Sequence, residues 1–221
     1  MPRIGVPADV AAIRAALAAA LNLECENGQR VGDAKFGVYA FYDYDGEPIY
    51  VGQTSEKLRV RIRRHLTNHR TDAVAMNVLD PFEVYEVEMW PLWNLQTLSP
   101  KDAAQYLNAA EYTVFEKLLS ASSFHAVLNE KDMAETSLIE LPSSVRACII
   151  PEDLREARKH PDVRIARRAG TIASLAKVIS ERDVSPGLRR TLHTQARRLE
   201  RLASTRFAEF AADPIKLDSE D

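Results

Sequence analysis

The sequence predicts an α+β fold: a small three-stranded antiparallel sheet flanked by helices, followed by a C-terminal helical hairpin. Three observations carry this. Two short runs rich in aromatic and β-branched residues, at 36–42 and 48–52, flank an Asp45-Gly46 turn signal. A third such run lies at 82–90, and helical periodicity brackets all three. From Pro151 onward the pattern is helical to the end.

Composition sets the bounds. The chain has 221 residues, a net charge of −3 and 46% hydrophobic content, ample for a core. No charged leader precedes an apolar run, and no apolar stretch reaches 18 residues, so neither a signal peptide nor a membrane span is expected. Two cysteines, Cys25 and Cys148, are too few and too far apart for a zinc cluster; free thiols of a cytoplasmic protein are expected. The charge is segregated. Lys57 to Arg70 holds six lysines and arginines and no acid, Asp72 to Glu140 holds twelve acids and three basic residues, and basic residues dominate again from Arg155 to Arg206. Such segregation suits a polyanionic partner better than the total charge does.

Taken in order, the chain first reads as a helix from about Pro7 to Leu23, with Ile13, Leu17, Leu21 and Leu23 on its apolar face. Arg3 and Arg14 are too few to make this segment a nucleic-acid arm, so it reads as a packing helix. Asn27-Gly28 and Gly32-Asp33 mark a loop. The hairpin follows, with Pro48 at the start of the returning strand, where a missing donor does least harm. Glu56 to Leu66 reads as a helix, with Leu58, Ile62 and Leu66 on one face and Arg59, Arg63, Arg64 and His65 over the remaining surface. A loop is expected from Thr67 to Met76, with His69 and Arg70 in it. Phe82 to Trp90 reads as the third strand, ended by Pro91. Ser99-Pro100-Lys101-Asp102 starts a helix to about Leu119, with Ala103, Leu107, Ala110, Val114 and Leu118 in register. Glu111 sits beside that apolar face, a costly position for a carboxylate unless it is paired or coordinated.

Beyond Ala134 the period is lost, and Leu141 to Ser144 reads as a linker. The units expected are therefore an N-terminal helical segment (1–33), a compact α+β domain (34–135), and a linker with a helical C-terminal region (136–221). In the last, a short helix ends before Pro161. Two longer ones follow, carrying Ile165, Ala169, Ile172, Ala176 and Ile179, then Leu188, Leu192, Ala196, Leu199 and Ala203. Their exposed faces are expected to carry Arg164, Arg167, Arg168, Arg189, Arg190, Arg197, Arg198 and Arg201. The tail from Asp213 is acidic and expected to fray.

Taken singly, a tyrosine-bearing hairpin is usually only a hairpin, and a basic helix is usually a solvated face. The combination is more specific. Gly37-Val38-Tyr39 and Tyr50-Val51-Gly52, followed by Arg61 and His65, resemble the two name-giving motifs and the basic helix of the GIY-YIG endonucleases. Each motif has valine where the family has isoleucine. The resemblance spans roughly 36–130 and marks the chain as similar to a stand-alone member with a helical C-terminal extension.

The resemblance implies a metal-dependent DNA endonuclease, with restriction or defence and DNA repair among the family's roles. It implies that Glu111 is the only protein ligand of a Mg²⁺ or Mn²⁺ ion. Glu116 is the rival, lying thirteen residues before Asn129 where Glu111 lies eighteen; the family's gap is nearer the shorter figure. Glu111 is preferred for its apolar neighbourhood, with residues 120–124 read as a loop insertion. Tyr39 corresponds to the general base, Tyr50 to an orienting group, Arg61 to a phosphate contact, and His65 to a proton relay or phosphate ligand. Asn129, after Val127-Leu128, matches the supporting asparagine of the closing motif. Lys57, Arg59, Arg63 and Arg64 are candidate DNA-backbone contacts. Gln53-Thr54 departs from the lysine or serine often found after the second motif. The alternative reading is a non-catalytic nucleic-acid-binding or partner-binding protein on the same fold. The partners implied are DNA, no membrane, and a second copy through the C-terminal helices.

Overall fold

The computed structural model describes residues 7–67, 80–129 and 133–212. The loop expected after Thr67, with His69 and Arg70, lies outside the described residues, as do Arg3 and the acidic tail.

Helix α1 spans Ala8–Ala20 and opens on Pro7. Leu17 and Leu21 are buried and Ile13 packs beside them, but Leu23 falls beyond the helix end and is exposed. Strands β1 (Gly37–Tyr42) and β2 (Pro48–Thr54) form the expected hairpin. Its turn is built by Asp43, whose Oδ1 accepts from the amides of Asp45 (2.9 Å) and Glu47 (3.0 Å). Gly46, at φ +76°, supplies the left-handed residue. Helix α2 follows at Leu58–Thr67 and β3 at Glu86–Pro91. The first residues of the expected third strand form instead a 3₁₀ turn, Pro81–Glu83, capped by Asp80. Helix α3, Pro100–Ala121, starts as its sequence demands: Ser99 Oγ accepts from the Asp102 amide at 3.2 Å.

The sheet has four strands, not three, in the order β2-β1-β3-β4 and antiparallel throughout. The fourth, β4 (Val145–Cys148), comes from the stretch expected to be structureless and lies beyond residue 135. Its side chains alternate between half-buried and exposed, which leaves no apolar run to detect. It is held by pairing with β3, by Arg146 over the Tyr42 ring at 3.7 Å, and by the Ile149 amide on Tyr85 O at 3.0 Å.

Both faces of β1 are covered, which is why all six of its residues are buried. On one face, Tyr39 and Phe41 join Val87 and Met89 under Leu58 and Ile62 of α2 and Leu17 and Leu21. On the other, Val38, Ala40, Val51 and Trp90 pack against Ala103, Leu107, Ala110, Val114 and Leu118 of α3. Each such large side chain contributes about 1.5–3 kcal/mol on burial. Glu88, on the inward parity of β3, is satisfied by the Tyr42 hydroxyl and by Ser144 Oγ.

Helices α4 (Glu152–Lys159), α5 (Pro161–Glu181) and α6 (Pro186–Ala212) complete the chain. Here the expected exposed arginine faces need correction. Arg164, Arg168 and Arg198 are buried, at 2%, 5% and 2% exposure. Arg164 grips Asp45 with two bonds, at 2.8 and 2.6 Å. Arg168 bonds Asp43 at 2.8 Å and Glu83 at 3.2 Å, Arg167 pairs with Glu83 at 2.8 Å, and Arg198 donates to Pro48 O at 2.9 Å. The hairpin turn places Asp43, Asp45 and Glu47 close to Glu83, and a planar, permanently charged fork is the group that can satisfy several such oxygens. No described helix is long and apolar enough to cross a membrane.

Candidate active site

The site begins with two glycines. Gly37 stands where a Cβ would lie 2.9 Å from both Leu58 Cδ1 and Trp90 O, so its absence lets α2 settle on β1. Gly52 pairs with Tyr39 across the hairpin. A Cβ there would stand 2.6 Å from Tyr39 Oη and 2.8 Å from its Cζ. The phenol of the first motif therefore passes over the glycine of the second.

Around that phenol the structure brings together three side chains, Arg61, Tyr50 and His65. Arg61 Nε donates to Tyr39 Oη at 3.3 Å. The rings of Tyr39, Tyr50 and His65 form one cluster, with centroids 6.3, 5.8 and 5.1 Å apart. His65, expected on the surface, is 2% exposed, one helical turn after Arg61 and turned under the tyrosines. Asn129 reaches β2 from the far side. It accepts from the Val51 amide at 3.1 Å and donates to Val51 O at 2.8 Å, filling both groups of an edge residue between Tyr50 and Gly52. Leu128 N on Ile49 O at 2.9 Å extends that pairing.

Electrostatics place Glu111 in the same group. Its pKa is pushed up to about 7, first by burial, while hydrogen bonds from Gln53 and the Arg61 charge pull the other way. Burial also pushes the Tyr39 phenol far up, helped by Tyr50 and Glu111 and opposed by Arg61. Glu116 lies elsewhere: the Tyr112 phenol is raised by desolvation, then by Glu116 and Glu135. Five helical residues put the two glutamates about 140° apart around α3. Glu111 takes the face toward Arg61 and Glu116 the face toward Tyr112.

Gln53, which stands after the second motif where the family often has a lysine or serine, also belongs to this neighbourhood. Its Nε2 donates to Asn108 Oδ1 at 2.7 Å, and its buried Oε1 has no hydrogen-bond partner. The half-buried Glu111 carboxylate is a hard oxygen donor, and a single such group suits a cation that keeps most of its waters. Among the described residues there is no group of three or more His, Cys, Asp and Glu that could enclose a metal, so any such ion would be held by few protein ligands. The remaining basic residues of α2, and Lys57 just before it, are largely engaged. Lys57 and Arg59 pair with Asp33 at 3.3 and 3.0 Å, Arg64 pairs with Glu56, and Arg63 is exposed.

The raised carboxyl has a consequence for stability. Glu111 binds its proton more tightly folded than unfolded, so its contribution is fully present below pH about 4.5 and lost as pH rises through about 7. Above that, the chelated protein carries a burden of about 2 kcal/mol, discounted for partial exposure. Glu111→Gln is expected to exceed the parent in denaturant stability above pH 7 in chelator and to match it in acid. A difference independent of pH would contradict this environment for the carboxyl.

A model of the GIY-YIG catalytic domain matches residues 35–118, a span that holds Tyr39, Tyr50, Arg61, His65 and Glu111 but not Asn129. No curated protein and no solved structure matches the chain.

Proposed function

Since residues 35–118 make this chain a member of the GIY-YIG superfamily, whose members are nucleases, we propose that it is a metal-dependent DNA endonuclease. The observation that carries the reading is the bond from Arg61 Nε to Tyr39 Oη, with the His65 ring packed edge-on to Tyr39 and the Glu111 charge acting on the same phenol. In the reaction, water attacks phosphorus, the bond to the 3′ oxygen breaks, and that oxygen takes up a proton. Arg61 is a fixed guanidinium at the reacting phosphate, and its Nε already orients Tyr39 Oη. Tyr39, with its pKa raised, is a neutral phenol that accepts from Arg61 and keeps one proton to donate. It positions the attacking water and serves as base only when added positive charge lowers it. His65, packed edge-on to Tyr39 and against Tyr50, is placed to pass a proton along that cluster. Glu111 would hold Mg²⁺ or Mn²⁺, which when bound supplies charge that neutralises the phosphoryl group and leaving oxygen and favours Tyr39 ionisation.

The test is incubation of the purified protein with supercoiled and linear DNA, in Mg²⁺ and in chelator. Nicked or linear product in Mg²⁺ and none in chelator is the expected result. Binding without cleavage of any DNA would favour the non-catalytic reading.

A further inference from the structure

Helix α6 divides its cations between two sides. Leu188, Thr191, Gln195 and Arg198 are buried at helical spacing, with Arg198 drawn into the carboxylate cluster. Arg189, His193, Arg197 and Arg201, each four residues after the last, are all exposed. Among the described residues, none of Arg189, Arg197 and Arg201 has a carboxylate within ion-pair distance. Glu200, three residues after Arg197 and well placed to pair with it, takes a bond from Ser204 instead.

An exposed basic helix face is usually just solvated, and two features argue otherwise here. Arg197 and Arg201 are held together on one ring: with Arg198, their guanidinium carbons lie 5.6, 5.4 and 5.4 Å from the centre of Phe124. Asp43 and Glu47, at 3.9 and 4.0 Å, offset Arg198. The like charges on the other two, one turn apart, oppose each other and leave a place an anion would relieve. The stripe is also tied to the site. Phe124 belongs to the segment between α3 and Asn129, the residue that clamps Val51 between Tyr50 and Gly52.

We propose that the outer face of α6, carrying Arg189, His193, Arg197 and Arg201, is a second nucleic-acid backbone surface that holds the polyanion in register with the Tyr39–Glu111 site. The inference rests on the nuclease reading of that site. From Arg189 to Arg201 the helix rises about 18 Å, the axial length of roughly five phosphates on one strand. Contacts of this kind carry affinity without sequence preference.

The experiment compares the parent with an Arg189→Gln, Arg197→Gln, Arg201→Gln variant, using labelled duplex DNA in chelator over a series of salt concentrations. The slope of log affinity against log salt should fall by about 2–3, with roughly 10- to 100-fold weaker binding at moderate salt. Lys177→Gln, off the stripe, should leave both unchanged. Thermal melts verify that the variant is folded. An unchanged slope, an equal loss in the Lys177 control, or a parent that binds no DNA overturns the inference. A parent that binds through the stripe yet cleaves nothing in Mg²⁺ overturns the nuclease reading alone.

Discussion

Replacing Glu111 with alanine is expected to lower Mg²⁺-dependent cleavage by roughly 10²–10³-fold or more, with DNA affinity in chelator changed little. The size follows from the role: cation charge at a transferring phosphoryl group provides several kcal/mol, and each ~1.4 kcal/mol is tenfold in rate. Burial raises the Glu111 carboxyl, the Arg61 charge opposes that, and Glu111 in turn raises the Tyr39 phenol. Glu116→Ala, on the Tyr112 face, should therefore cleave like the parent. Arg61→Ala should also abolish cleavage, because it removes both the phosphate contact and the bond to Tyr39 Oη. The measurement is the single-turnover rate on a labelled duplex. Metal-dependent cleavage that survives both Glu111→Ala and Arg61→Ala would overturn this site. A Glu116→Ala variant that alone lost activity would transfer the ligand to that residue.

Arg168→Met is expected to destabilise the protein by about 3–5 kcal/mol, the usual cost of removing one partner from a buried ion pair. Arg168 serves Asp43 Oδ2, Glu83 Oε2 and the Arg198 carbonyl from one guanidinium, and Asp43 is 1% exposed. Burial already raises the Asp43 carboxyl against the pull of Arg168 and Arg198. Without Arg168 it rises further, so the folded state prefers the protonated acid more strongly. The sign is that of a raised folded pKa: the deficit is largest at neutral pH and shrinks as acid protonates Asp43. Denaturant unfolding at several pH values checks it, and adding Asp43→Asn to the variant should recover much of the loss. A deficit that neither acid nor Asp43→Asn relieves would mean that Arg168 stabilises by packing alone.

This network was not legible in the sequence. An arginine in an amphipathic helix reads as surface, and this holds for every arginine named on α5 and α6. Arg164, Arg168 and Arg198 go inward because four carboxylates on distant segments need partners, and helical periodicity holds no trace of that. His65 misled for the same reason. It follows four arginines in a basic helix, yet its side of α2 faces Tyr39 and Tyr50. The fourth strand escaped because β4 lies against β3 through backbone bonds and an arginine over a ring, with little apolar signal of its own.

What the sequence determined by itself was local. The hairpin follows from strand-forming runs around Asp45-Gly46, α3 from Ser99-Pro100, and the candidate residues from two short motifs and a spaced Arg61 and His65. Each is a property of neighbours along the chain, set by backbone sterics, capping and side-chain period. Tertiary structure decided which glutamate of α3 shares the field of Tyr39 and Arg61, that Gln53 stands beside it, and that α6 sends Arg198 inward but leaves Arg197 and Arg201 outside. Those outcomes depend on charge and burial summed over segments far apart in sequence. A carboxylate's pKa or a guanidinium's partner is fixed only once the sheet, α3 and the C-terminal hairpin have closed around it.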